Sequence, residues 1–163
     1  MNLRQITIKD QINLKRIYFD SIQSIDEKIY NKEQKLAWSS QAWINLEFNE
    51  SITKGKGFIV EDLNKKIGFA IRYPKNKLSL LYVRGNFRRE GIGNMLIKAI
   101  EKDAFNEGIS SLHTEASLLS YKLFLKNNWQ EISKEKIIIQ NIIFNRYKTV
   151  SYTHLRAHET LGN

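Results

Sequence analysis

The stretch from Leu78 to Gly108 constrains this chain most. It opens with an apolar run, Leu80-Leu81-Tyr82-Val83, that reads as a buried strand. A basic loop, Arg84 to Glu90, follows, and Gly91 and Gly93 flank Ile92 where a helix begins. Ile92, Met95, Leu96, Ala99, Ile100 and Ala104 recur at the i, i+3, i+4 spacing of one buried helical face. Gly108 stands where a left-handed C-cap ends such a helix. Strand, glycine loop, helix is an arrangement that holds a phosphate. The glycines admit a close backbone approach, and the unpaired N–H groups and dipole of the helix start favour an anion. Arg88 and Arg89 place two guanidinium groups beside the same spot.

Two phosphate motifs fail on spacing. No G-x-x-x-x-G-K-[ST] is present, and a dinucleotide turn needs G-x-G-x-x-G close behind its strand. Here seven residues separate Val83 from Gly91, and Leu96 occupies the third glycine position. Arg88-Arg89-Glu90-Gly91-Ile92-Gly93 instead resembles the [QR]-x-x-G-x-[GA] pyrophosphate loop of the GCN5-related N-acetyltransferases, which bind acetyl-CoA. Other segments resemble that family too. Leu3 to Asp10 matches its L-R-x-[AI]-T-x-x-D opening, and Tyr30 to Trp38 matches a Y-x-x-E-Q-x-x-A-W segment of one bacterial subfamily. Thr114-Glu115-Ala116-Ser117, the run Leu123 to Trp129 and Asn145 to Lys148 resemble the T-E-A-S strand end, the F-F-x-K-x-G-F segment and the closing N-x-x-K of that subfamily. Asn128 replaces the usual glycine there and is among the residues most tolerant of positive φ.

Local patterning supplies the other elements. Leu3 to Ile8 reads as a first strand, and Asp10 as the cap of a helix with Ile12, Leu14, Ile17, Tyr18, Ile22 and Ile25 on one face. Ser40 to Phe48 reads as a short helix with Trp43, Leu46 and Phe48 inward. Phe58 to Asp62 and Ile67 to Tyr73 form a hairpin about Asn64-Lys65-Lys66. Ile109 to Ala116 follows the crossover helix and should lie parallel to the strand ending at Val83. Leu118 to Lys126 reads as a helix, and Gln130 to Ile138 with Ile142 to Lys148 as a closing hairpin. The resemblance implies an α/β (α+β) fold: a mixed, mostly antiparallel sheet with a V-shaped splay between two parallel strands and helices on both faces.

The domain is expected to span residues 1–149. Val150 to Thr160 resembles the translation of a sequencing-library adapter, so residues 150–163 are expected to be a non-native tail outside the fold. The 163 residues include no cysteine, which excludes a disulfide framework, a thiolate metal site and a cysteine nucleophile. No His/Asp/Glu set has metal-ligand spacing, and no metal is expected. No apolar run approaches 18 residues and no signal-peptide core is present, so a cytoplasmic protein away from membranes is expected. A net charge of +9 raises nucleic acid as a partner. The lysines are scattered, however, and no helix-turn-helix, RNP or zinc pattern occurs, so a nucleic-acid role is set aside.

The resemblance also implies a mechanism: direct transfer from acetyl-CoA to a primary amine of a small molecule or peptide, in a ternary complex, by a monomer or homodimer. Leu81, Tyr82 and Val83 would pair with pantetheine, a backbone N–H near Tyr82 polarising the thioester. Arg88, Arg89, Glu90, Gly91, Ile92, Gly93 and Asn94 would take the pyrophosphate, with Ser117, Ser120 and Phe124 completing the cofactor wall. Many members protonate the leaving thiolate with a tyrosine where Phe124 stands, which leaves Tyr121, on the same helical side, or water. Phe124 also keeps open a non-catalytic acyl-CoA-binding module. Glu115 is the candidate general base, for which a raised pKa would help. Tyr30 and Gln34, on one helical face, would wall the acceptor pocket.

Overall fold

A computed structural model describes residues 1–152. Strands β1 (Asn2–Gln5), β2 (Lys56–Asp62), β3 (Lys65–Arg72) and β4 (Leu78–Val83) form one antiparallel sheet in that order. Strands β5 (Ser111–Ala116), β6 (Gln130–Ile139) and β7 (Ile142–Tyr152) form a second, with β7 in the middle. The sheets touch where β5 runs parallel to β4. Lys77 and His113 form a parallel bridge, His113 N donates to Asn76 O at 3.0 Å, and Thr114 Oγ1 donates to Leu78 O at 2.7 Å. Beyond that seam β4 and β5 belong to separate ladders, and the expected V opens between them.

Helices cover both faces. Helices α1 (Gln11–Gln23), α2 (Lys32–Ser39), α3 (Gln41–Ile44) and α4 (Leu46–Lys54) enclose a core of Leu14, Ile17, Ile22, Phe48, Phe69, Ile71 and Leu80. Helix α5 (Ile92–Asn106) buries Leu96, Ile97, Ile100 and Ala104 against Ile67, Leu78, Leu112 and Trp129 on the opposite face. A short α6 (Tyr121–Lys126) follows β5. Gly108, at φ +77°, ends α5 as expected, and Ile109 N reaches back to Ala104 O at 3.0 Å. Asn128 does take positive φ, at +64°.

Several local expectations shift. The first strand stops at Gln5, and Ile8 enters an exposed turn. Ile12 and Met95 are exposed, while Ile97 turns inward on α5. The helix expected over Ser40 to Phe48 breaks at Asn45, whose side chain accepts from Phe48 N and starts α4 afresh. The break turns Trp43 and Leu46 outward and leaves Phe48 inward. The last strand also runs past Thr149. Strand β7 continues to Tyr152, with Val150 and Ser151 buried opposite His113 and Leu112. Residues 153–163 of the expected tail lie outside the described residues. Ending the chain at Thr149 removes three β5 ladder positions and a buried Val side chain, worth ~1.5–3 kcal/mol. The melting temperature should fall by about 5 °C or more. Ending it at Tyr152 keeps all of those contacts, and a thermal melt of the two truncations checks the contrast.

An ionic clasp holds β1. Arg4 donates to both Asp10 oxygens, at 2.8 and 2.9 Å, and to Glu61 at 2.9 Å. The Arg4 hydrogen bond, opposed by burial and aided by Thr7 N–H, holds the Asp10 carboxyl down at about 2. A depressed carboxylate stabilises fully above its ordinary value of 3.8, and its contribution is lost as pH falls from there toward about 2. Acid unfolding should steepen in that window, and Asp10→Asn should flatten this part of the stability–pH curve.

Candidate active site

The β3–β4 ladder decides which backbone groups face the splay. Near the seam, Tyr73 N donates to Lys77 O, so Lys77 faces β3 and Leu78 faces β5. Ser79 is then an extra residue: Arg72 pairs with Leu78, but Ile71 pairs with Leu80. Past this bulge Arg84 N donates to Ile67 O at 2.9 Å, and by alternation Tyr82 and Leu80 bond β3. The N–H and C=O groups of Leu81 and Val83 therefore face the cleft, and the Tyr82 amide does not. This corrects the expectation for Tyr82. Its ring instead packs on the α1–α4 side, 4.7 Å from Tyr18 and 5.8 Å from Phe69 between centroids.

The loop between β4 and α5 closes one end of the cleft. Gly91 is the N-cap of α5 at φ +80°, with nothing within 4 Å of where a Cβ would stand. The first intrahelical bond is Met95 N to Gly91 O, so the N–H groups of Ile92, Gly93 and Asn94 lack helical partners, and no side chain caps them. Gly93 serves packing: its Cβ would meet Leu123 Cδ2 at 2.6 Å. Arg88 departs from the expected role. Its guanidinium donates to Ser21 O and, at 3.4 Å, to Ser24 O, fastening the loop to the end of α1. Arg89 takes φ +66° and, with Arg88, Gly91 and Asn94, lines the cleft, while Glu90 is exposed and does not line it.

The opposite wall is the turn after β5. Ser117 and Ser120 cap one another, each hydroxyl accepting the other's backbone N–H at 3.1 Å. Both line the cleft with Phe124, which packs on Trp129 at 4.8 Å. Tyr121 does not reach it. Its hydroxyl donates to Glu131 at 2.7 Å and its ring stacks on Tyr147 at 4.0 Å.

The cleft, of about 1130 Å³, continues past the splay to the α1–α4 side. Tyr30 and Trp38 wall it there, 5.2 Å apart, with Phe144 6.0 Å from Tyr30. Gln34 is not brought to it. Its side chain accepts from Asn31 N in a capping box, and its Nε2 donates to Ile143 O at 3.2 Å. Glu115 does face the cleft, but in a pair with Lys77 at 2.9 Å, and Lys77 also meets Glu47 at 3.0 Å. Burial pushes the Glu115 carboxyl up. The Lys77 hydrogen bond, with the charges of Lys77, Arg146 and His113, outweighs it and holds the group below the usual range. The raised value that would suit a general base is thus replaced by a lowered one.

A family model described as the Acetyltransferase (GNAT) domain matches residues 27–150. The chain belongs to the GNAT acetyltransferase family. The fold agrees with solved GNAT structures. A GCN5-related N-acetyltransferase from Rhodopseudomonas palustris superposes with TM-score 0.85 at 23% identity, covering 93% of this chain and 94% of that one. The PaiA N-acetyltransferase of Thermoplasma acidophilum, in complex with coenzyme A, gives TM-score 0.70 at 16% identity, covering 93% and 99%. The yncA structure from Salmonella typhimurium, with acetyl-CoA, gives 0.67 at 12% identity, covering 94% of each chain. No curated protein matches. In this GNAT chain two features lie beyond the sequence motifs: Lys77 as the partner of Glu115, and Ser79 as the place where the bulge in β4 falls. No local pattern signals either, since both act through strands distant in the chain. Among the described residues no helix is long and apolar enough to cross a membrane, and no acidic or histidine cluster could hold a metal.

Proposed function

We propose that the protein moves an acetyl group from acetyl-CoA to a primary amine by direct transfer within a ternary complex. The observation that carries this is continuity. The cleft-facing amides of Leu81 and Val83 lead to the uncapped α5 amides at Ile92 to Asn94, a ladder edge for pantetheine ending at an anion site. The residues fit the ligand, since at Gly91 the backbone is bare where a diphosphate would approach. Leu81 and Val83 N–H groups would polarise the thioester carbonyl, and the acceptor would enter past Tyr30, Trp38 and Glu115.

Glu115, kept ionised by Lys77, suits attraction of the acceptor's ammonium better than proton abstraction. Glu115→Gln should therefore raise the acceptor KM by ~10-fold while kcat stays within about threefold. A collapse of kcat instead would restore it as the base. The test of the whole reading is calorimetry with acetyl-CoA followed by thiol release with a panel of small and peptidyl amines. Phe124 favours a second reading, a GNAT module that binds acyl-CoA without turnover. Binding without thiol release across the panel would select it.

A further inference from the structure

The α1–α4 side of the cleft carries charges of both signs, and they fall into two groups. At the seam Lys77 lies 2.9 Å from Glu115 and 3.0 Å from Glu47. Two carboxylates and one ammonium leave that group one negative charge. On the second sheet Glu135 of β6 pairs with Arg146 and, at 3.5 Å, with Lys148, both of β7. Two cations and one carboxylate leave that group one positive charge. The remaining charges on the cleft are engaged or lie elsewhere. Asp26 accepts Lys28 N at 2.9 Å, Arg88 is held by α1 carbonyls, and Arg89 and Lys126 belong to the α5 loop and to α6.

Strand register brings the two groups together. Glu115 of β5 stands opposite Lys148 of β7, so Arg146, two residues back on the same face of β7, is its diagonal neighbour. Diagonal neighbours stand roughly 7–8 Å apart, within reach of long side chains. Phe144 lies two residues further along that face and lines the cleft with Tyr30 and Trp38, 6.0 and 6.4 Å away. Arg146 lines the cleft as well, and its hydrogen bond to Glu135 is made by Nε. The Nη groups are further donors, in the fork geometry that matches a carboxylate. We propose that the acceptor is a free α-amino acid with an apolar side chain, its ammonium at Glu115, its carboxylate on Arg146 and its side chain against Phe144, Tyr30 and Trp38. This rests on the acetyl-transfer reading above.

One carbon separates the two charges of such a molecule, which suits two groups of opposite charge on adjacent strands. A simple amine brings nothing to Arg146, and a peptide N-terminus brings it an uncharged amide. Glu115 also stands one residue past the seam bond of Thr114 to Leu78, at the end of the cleft edge away from α5. An amine held there meets the acyl end of a donor whose diphosphate lies at α5. The step balances. The amine nitrogen bonds the acetyl carbon, and the C–S bond breaks with its electron pair left on sulfur. Of the two protons that the ammonium sheds, one ends on the thiol and the other in water.

The test offers phenylalanine and leucine with acetyl-CoA, each as the free amino acid, its amide and its decarboxylated amine, and reads thiol release. In at least one series the wild-type KM for the free acid should lie ~10–100-fold below those of its amide and amine, the scale of a hydrogen bond to a charged group. Arg146→Gln should bring the three KM values within about threefold of one another. Glu135→Gln removes the ion-pair partner of Arg146 but not the guanidinium, and should keep the preference. Equal loss of the preference in both variants would make Arg146 a support of the β6–β7 ladder. Equal wild-type KM values in both series would remove the carboxylate site, and they decide by themselves should Arg146→Gln fail to fold. Each of these results overturns the proposal. Calorimetry in the presence of CoA separates it from the reading beneath it. Amino-acid binding that vanishes in Arg146→Gln, with no thiol released from any acceptor, sinks acetyl transfer and keeps the zwitterion site. Thiol release that favours the decarboxylated amine keeps acetyl transfer and sinks the zwitterion site.

Discussion

Gly91→Glu should weaken acetyl-CoA binding at least ~100-fold while the protein stays folded. The new side chain meets open space, since nothing lies within 4 Å of the Gly91 Cβ position. Its carboxylate would stand at the uncapped N-terminus of α5, where the Ile92, Gly93 and Asn94 N–H groups have no partner in the helix. It would both satisfy those donors and repel a diphosphate. The backbone cost is separate: an L residue held at φ +80° loses roughly 1–2 kcal/mol, about 2–8 °C in melting temperature for a chain of this size. Gly91→Asn isolates that cost, because asparagine tolerates the left-handed region and carries no charge. It should keep acetyl-CoA affinity within about tenfold. Calorimetry on both variants checks this, and equal affinities for the two would move the phosphate site away from α5. Gly93→Glu is a poorer probe, because Leu123 already occupies the space.

Replacing single peptide N–H groups of β4 by ester oxygens should separate catalysis from folding within three consecutive residues. At Leu81 and Val83 the N–H faces the cleft, so an ester there leaves the β3 ladder intact. At whichever of the two polarises the thioester carbonyl, kcat should drop by ~10²–10³-fold, the scale of losing one oxyanion donor. At Tyr82 the N–H bonds β3. Its ester should cost about 1 kcal/mol of stability, or about 2–4 °C, with kcat retained. A large kcat loss at Tyr82 with none at its neighbours would mean that the bulge at Ser79 is absent during turnover.

The same bulge marks the boundary between what this sequence shows and what only folding reveals. Apolar periodicity, the glycines and the C-cap placed β4, the loop and α5 in order, because those signals are local: Ile92, Leu96, Ile100 and Ala104 are buried and Gly108 takes positive φ. Whether Tyr82 or its neighbours present an amide to the cleft is a question of strand parity. One unpaired residue, Ser79, inverts that parity, and nothing in L-S-L-L-Y-V announces it, since pairing is chosen by β3. Without the bulge, Tyr82 would face the cleft as expected. The side-chain roles shifted for a like reason. Arg88 suits a phosphate by type, but the carbonyls at the end of α1 accept its guanidinium. Glu115 stands at the strand end where a base was expected, yet the parallel seam brings Lys77 to it from a different strand and lowers its pKa. Tyr121 and Gln34 were placed by helical spacing, which says which residues share a face but not what that face meets. Residue type and spacing thus determined the fold family and the glycine loop that opens α5. Long-range pairing decided which backbone amides and hydroxyls are free to act, because a donor's availability depends on partners far away in the chain.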